Sequence, residues 1–130
     1  MNINLLEHVN LRTTDMEKLA DWYCRILGLT RGYRPPFGVP GIWLYAEDIP
    51  MVHLLQVDTE PITRDPRIEH FAMQATGLET FLNRLKTEDI SFRTTRVPET
   101  RGFQVYLSDP ESNHMHIDFP PQEADALGLP

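Results

Sequence analysis

A chain whose second half repeats the pattern of its first is constrained to fold as two like modules. Leu6-Glu7-His8-Val9-Asn10-Leu11 aligns with Ile68-Glu69-His70-Phe71-Ala72-Met73. At the same offset Thr14 falls on Thr76 and Glu17 on Glu79. Both pairs read Thr-x-x-Glu, the pattern of a capping box that opens a helix. Behind the first box, Leu19, Trp22, Tyr23, Ile26 and Leu27 share one helical face, and Gly28 supplies a stop. Behind the second, Leu78, Phe81, Leu82 and Leu85 do the same. Strand-like runs follow each helix: 42–45 and 51–55 in the first half, then 90–93, 103–107 and 115–119 in the second. Each half therefore reads strand, helix, then two or three strands.

The breaks between these runs are turn-like. Residues 34–41, Arg-Pro-Pro-Phe-Gly-Val-Pro-Gly, form a stiff loop, and Asp109-Pro110-Glu111-Ser112-Asn113 a hairpin turn. Thr59 to Arg67, with Pro61 and Pro66, reads as the linker. Module one then covers about residues 1–60 and module two about 67–119 of a single domain, and the tail 120–130 is expected to be loosely held.

Strand alternation decides where the histidines point. Val9 and Leu11 share a face with Leu5, which leaves His8 and Asn10 on the other. Phe71 and Met73 leave His70 there in the second module. Met115, Ile117 and Phe119 form an apolar set, so His114, His116 and Asp118 take the opposite face. His53 falls on His116 at an offset greater by one. Two repeat-related pairs result, His8 with His70 and His53 with His116. A single strand histidine is ordinarily a packing or hydrogen-bonding residue. Four that obey a repeat point to a shared centre, and imidazole favours a transition metal over magnesium or calcium.

The excluded classes follow from charge and length. The net charge is -7 over 130 residues, with only two lysines, Lys18 and Lys86, so a nucleic-acid-binding face is not expected. No apolar run reaches the ~20 residues needed to span a bilayer, and the first residues lack the basic start and apolar stretch of a signal peptide. Cys24 is the single cysteine. It rules out an intrachain disulfide, suits a cytoplasmic protein, and reads as a buried spectator thiol.

His8-Val9-Asn10-Leu11 followed by Trp22-Tyr23-Cys24-Arg25-Ile26-Leu27-Gly28-Leu29 resembles the opening of the vicinal oxygen chelate superfamily, which includes glyoxalases, fosfomycin- and bleomycin-resistance proteins, methylmalonyl-CoA epimerase and extradiol dioxygenases. Glu69-His70-Phe71-Ala72 and Val105 to His116, with Asp109-Pro110, resemble its second half. The resemblance runs from about Leu5 to Phe119. It implies an α+β fold: two βαβββ modules forming a curled mixed sheet, with helices outside and a metal site on the concave face. It implies His8, His53, His70 and His116 as ligands of one divalent transition metal, iron, zinc or nickel.

The chain departs from its relatives at the last ligand, where the superfamily usually has glutamate seven residues after the aspartate of Asp-Pro. Here that position is His116, with Asp118 as the alternative ligand, and Ser112 replaces a usual glycine. The resemblance further implies a homodimer and a small substrate held through vicinal oxygens, acted on by a ring-cleaving dioxygenase or a lyase/isomerase. A non-catalytic resistance-type binding protein is the alternative, and a closed structural metal site a third.

The remaining candidates are side chains near these strands. Tyr106, Tyr45 and His114 are the expected proton-handling residues. Arg34, Phe37, Trp43 and Gln104 are the expected substrate contacts. Glu7 and Glu69 precede the repeated histidines, and alternation turns them away as exposed charges.

Overall fold

A computed structural model describes residues 1–62 and 67–130. The chain divides into two compact units, Met1–Asp65 and Pro66–Pro130. The centre of the expected linker, 63–66, lies outside the described residues. The first unit runs β1 (Val9–Thr13), α1 (Met16–Leu27), β2 (Thr30–Gly32), β3 (Gly41–Ala46) and β4 (Ile49–Gln56). The second runs β5 (Phe71–Gln74), α2 (Leu78–Thr87), β6 (Arg93–Arg96), β7 (Phe103–Ser108), β8 (His114–Phe119) and a closing helix, α3 (Pro121–Ala126). The fold is α+β, and each unit is a βαβββ module. In place of one curled sheet there are two four-stranded sheets, ordered β1-β4-β3-β2 and β5-β8-β7-β6.

The same pairing rule governs both sheets. The first strand lies parallel to the last: Val9 faces Val52, and Phe71 faces Met115. A parallel pair needs a crossover, which α1 and α2 provide. The remaining strands pair antiparallel. His53 lies opposite Asn10, and His116 opposite Ala72, the residue that matches Asn10 in the repeat. The difference of one in their offsets therefore shifts neither histidine out of its equivalent place.

The helices bury the faces expected. Leu19, Trp22, Tyr23 and Ile26 of α1 are buried, as are Leu44, Val52 and Leu54 of the sheet. Gly28 closes α1 with φ 74, a left-handed cap that glycine adopts without strain. In the second unit Leu78, Phe81, Leu82 and Leu85 are buried, with Phe81 and Phe119 in ring contact at 5.7 Å.

Four local expectations are corrected. The capping boxes do not form. Asp15 caps α1, its Oδ1 accepting from Lys18 N–H at 3.1 Å, while Thr14 donates to Glu60. In α2 the cap residue is Gly77, and the N–H groups of Gly77 and Leu78 are satisfied instead by Glu123 Oε2 at 2.8 and 2.7 Å. That contact belongs to the second correction. The tail is not loose: α3 buries Ala124, Asp125 pairs with Arg96 and Arg101, and Arg96 donates to the Leu129 carbonyl. Third, β6 starts only at Arg93, later than expected, because Asp89 takes a left-handed conformation (φ 54) after α2. Fourth, β1 starts only at Val9, so Leu5 is exposed and packs on no helix.

These caps are testable. Asp15→Ala and Glu123→Ala should each lower stability by about 1 kcal/mol, whereas Thr76→Ala should change it by less than about 0.5 kcal/mol. Denaturant unfolding of the three variants measures this; a Thr76→Ala loss as large as that of Asp15→Ala would restore the capping boxes.

Candidate functional site

In the first unit β4 holds His53 at the centre of a column of rings. Trp43 of β3 is its cross-strand neighbour. The Trp43 and His53 rings stack at 4.1 Å, and His8, one position before β1, stacks on the other face at 3.9 Å. His53 is 6 % exposed. Its Nε2 lies 2.9 Å from the Pro50 carbonyl, which only accepts, so Nε2 carries the proton and Nδ1 a lone pair. Burial, and then the neighbouring His8, lower the His53 pKa.

A cavity of about 500 Å³ opens beside this column, lined by His8, Arg34, Phe37, Val39, Trp43 and His53 among others. Arg34 lies along β3 because position 41 is glycine; a Cβ there would sit 2.5 Å from the Leu54 carbonyl and 2.9 Å from Arg34 Nε. The guanidinium donates to the Val39 carbonyl at 2.9 Å and lies 5.0 Å over the Phe37 ring. Tyr45 is on the same strand, but its ring covers Gly32 and its hydroxyl donates to the Tyr33 carbonyl at 2.6 Å. The structure therefore gives Tyr45 a local partner and does not bring it to the histidines.

The second unit repeats the arrangement with different chemistry. Tyr106 is the cross-strand neighbour of His116, as Trp43 is of His53. Its ring lies 4.9 Å from His116 and 5.9 Å from His114, with the Arg93 guanidinium 3.7 Å over it. His70 lies 4.8 Å from His116, ring to ring. Behind these rings runs a hydrogen-bonded chain. Tyr106 hydroxyl donates to Gln104 Oε1 at 2.8 Å, Gln104 Nε2 donates to Asp118 Oδ1 at 2.9 Å, and His116 Nδ1 lies 3.1 Å from the same oxygen. A carboxylate accepts, so His116 keeps its proton on Nδ1 and turns a lone pair outward on Nε2. Asp118, the alternative ligand of the sequence reading, is a hydrogen-bond partner of His116.

Glu69 adds to the sequence reading. Its carboxylate bonds His70 Nδ1 on one side and His114 Nδ1, at 2.7 Å, on the other. Those bonds, from His70 first and then His114, lower its pKa. Ligand atoms of Glu69, His70 and His114 lie within 4.8 Å of one another. Glu69 is exposed, as alternation predicts, but it reaches both histidines because β5 begins at Phe71, so residues 69 and 70 precede the ladder. A signal was present: the dipeptide Glu-His occurs in both copies of the repeat, and Glu7 lies 3.6 Å from His8. The Trp43–Tyr106 correspondence was a second signal.

The Asp109 turn closes β7 onto β8. Asp109 Oδ1 accepts from the N–H groups of Glu111 and Asn113 at 2.9 Å. Ser112 has φ 66, a left-handed conformation that glycine adopts with less strain.

The family profile described as Glyoxalase/Bleomycin resistance protein/Dioxygenase superfamily matches residues 5–117. The chain belongs to this superfamily. Solved structures agree in fold at low identity. A glyoxylase/bleomycin resistance protein/dioxygenase domain from Frankia is 16% identical with TM-score 0.75, covering 92% of this chain and 93% of its own. The fosfomycin resistance protein FosX from Listeria monocytogenes is 15% identical with TM-score 0.68, covering 94% and 98%. Lactoylglutathione lyase from Agrobacterium tumefaciens is 18% identical with TM-score 0.67, covering 99% and 100%. A comparison with curated proteins finds no significant match. No helix among the described residues is long and apolar enough to cross a membrane.

The state of His53 sets a pH dependence. Its folded pKa lies below the ordinary 6.5, so the unfolded chain takes up the proton first as pH falls. The stability contributed by neutral His53 is present above pH 6.5 and is lost as pH falls through the folded value. In chelator-treated protein, the stability advantage of wild type over His53→Phe should shrink between about pH 7.5 and about pH 5.5. An advantage constant across that range, in parallel thermal melts, would show that His53 is not held neutral by its stack.

Proposed function

We propose that this superfamily member is an enzyme dependent on a divalent transition metal, iron, zinc or nickel, with His8, His53, His70 and His116 as ligands. Its substrate is a small molecule presenting two adjacent oxygens. The observation that carries this reading is the pinning of imidazole nitrogens. His53, His70, His114 and His116 each direct one ring nitrogen at a carbonyl or carboxylate, leaving the other with a lone pair. Metal-ligating histidines are held in this way, and the donor set suits a nitrogen-binding ion. Within the second unit Glu69, His70 and His114 also form a compact donor group.

When bound, such a metal polarises neighbouring substrate oxygens and stabilises negative charge that develops on them. The chain supplies the rest. Glu69 holds the Nδ1 proton of His114, so His114 Nε2 is free to take a proton from the substrate, as a histidine oriented by a carboxylate does. Tyr106 fixes the Gln104 amide, and Gln104 fixes Asp118. Arg34, Phe37 and Trp43 bind the substrate. This distribution favours proton-transfer chemistry of the lyase/isomerase kind. A second reading rests on Glu69 itself: two histidines and one carboxylate are the donor set of oxygen-activating iron enzymes. The exposed apolar residues Leu5, Leu6 and Ile68, each next to an edge strand, support a homodimer, which light scattering would reveal as twice the 15.1 kDa chain mass. The lone Cys24 suits the cytoplasm.

His116→Ala should abolish tight zinc or nickel binding, and Asp118→Ala should weaken it about ten- to a hundredfold while leaving His116 in place. Titration with each metal measures both; unchanged affinity in His116→Ala would remove it from the ligand set. Loaded protein offered 2-oxoaldehyde–thiol adducts under zinc or nickel, and catechols with oxygen under iron, separates the two reactions. Turnover of the adducts that is lost in His114→Ala supports proton transfer, and oxygen consumption supports the second reading. Binding without turnover of either would favour a resistance-type protein.

A further inference from the structure

Each module carries a cavity, and the two overlap in the repeat at four lining positions while differing in charge. The first is lined by Arg34, Phe37, Val39, Trp43, His53 and Leu55. When His53 is aligned with His116, these positions become Val97, Thr100, Gly102, Tyr106, His116 and Asp118. Of these, Val97, Thr100, Gly102 and Asp118 line the second unit's cavity, of about 640 Å³, along with Gln74, Thr76 and Gln104. One backbone plan thus carries a cation and apolar rings in the first unit. In the second it carries a carboxylate, amides and hydroxyls.

We infer that the first unit's cavity is a binding site for a flat, conjugated carboxylate, such as an aryl or enoic acid. The inference names the substrate class of the pocket proposed above and rests on that assignment, but not on the metal. Three observations converge on it. Arg34 is half-buried, and among the described residues its guanidinium has one hydrogen-bond partner, the Val39 carbonyl. No carboxylate among the described residues pairs with it, so most of its fork of donors is available to an anion. The two end rings of the His8–His53–Trp43 column, His8 and Trp43, line the same cavity and each keep one face outside the stack, while both faces of His53 are covered. Stacking on such surfaces rewards a planar ligand over a puckered one. Val39 and Leu55 add apolar lining and Asn10 a polar one, and Phe37, 58 % exposed on the loop after Pro36, stands beside Trp43 at 5.9 Å. Glu7 is the one acidic lining residue; it is exposed and lies 3.6 Å from His8, which offsets its charge when protonated.

The second unit serves as an internal control. Its cavity has no cation among its lining residues and presents Asp118, so an anion is disfavoured there. A carboxylate ligand should therefore occupy one class of site per chain.

The test uses chelator-treated, metal-free protein and three probes of similar size: 2-naphthoate, its neutral amide 2-naphthamide, and the saturated acid decahydro-2-naphthoate. Ligand-observed NMR gives the affinities. The naphthoate should bind with one site per chain and more tightly than either comparator by about tenfold, the worth of one charge-assisted hydrogen bond or one good stack. Arg34→Met should abolish the acid-over-amide preference while leaving amide binding unchanged. Trp43→Leu should abolish the planar-over-saturated preference; should that variant fail to fold, Phe37→Ala on the exposed loop should reduce it. Equal affinity for acid and amide, or a preference unmoved by Arg34→Met, would overturn the inference. Metal titration of wild type is read separately, so loss of the metal reading and loss of this one are distinguishable.

Discussion

Everything in either module depends on the parallel pairing of its first strand with its last. Parallel neighbours cannot be joined by a tight turn, so the chain must cross over, and α1 and α2 are those crossovers. The same pairing makes β4 and β8 central strands, flanked on both sides. A histidine on such a strand is enclosed by two neighbours: His53 by His8 and Trp43, His116 by His70 and Tyr106. Two histidines far apart in sequence thereby meet without any long loop to position them. The burial that results lowers the His53 pKa, which favours the neutral imidazole, the form that has a lone pair to give.

The repeat made most of this legible in the sequence. Amphipathic stripes located α1 and α2, and alternation placed the histidines on one face. What it did not show were contacts between residues distant in sequence. Thr-x-x-Glu read locally as a cap, yet Gly77 and Leu78 donate to Glu123, far along the chain in α3. The tail looked dispensable because its composition is polar, but Glu123, Asp125 and the terminal carbonyls satisfy α2 and Arg96. Glu69 is exposed, as alternation predicts, but it reaches His70 and His114 because it precedes the start of β5. Irregular backbone before a strand lets adjacent side chains converge, and here it lets one carboxylate serve two histidines.

The two halves have diverged where the cavities are, not where the strands pair. Trp43 and Tyr106 keep an aromatic ring against the central histidine, which preserves the stack. Leu55 and Asp118, one step further along the same face, do not resemble each other. Leu55 leaves His53 without a carboxylate, and its Nε2 turns to the Pro50 carbonyl instead. Asp118 gives His116 an acceptor on Nδ1. The same ring in the same place is therefore held in opposite tautomers, and the nitrogen left with a lone pair differs between the two modules.

That difference bears on the proposal that His116 is a metal ligand. A glutamate ligand would bring negative charge directly to the metal. A histidine supported by Asp118 brings that charge one atom group further away, through Nδ1–H, and a charged partner makes the imidazole a better donor than an unsupported ring. Asp118 in turn shares its oxygen with Gln104, whose amide is oriented by the Tyr106 hydroxyl. A carboxylate thus stands on the next residue of that face of β8, with its orientation fixed by Gln104 of β7. The orientation of the His116 ring is thus set jointly by Asp118, Gln104 and Tyr106. Glu69, just before β5, and His114 of β8 form a separate hydrogen-bonded pair in the same unit.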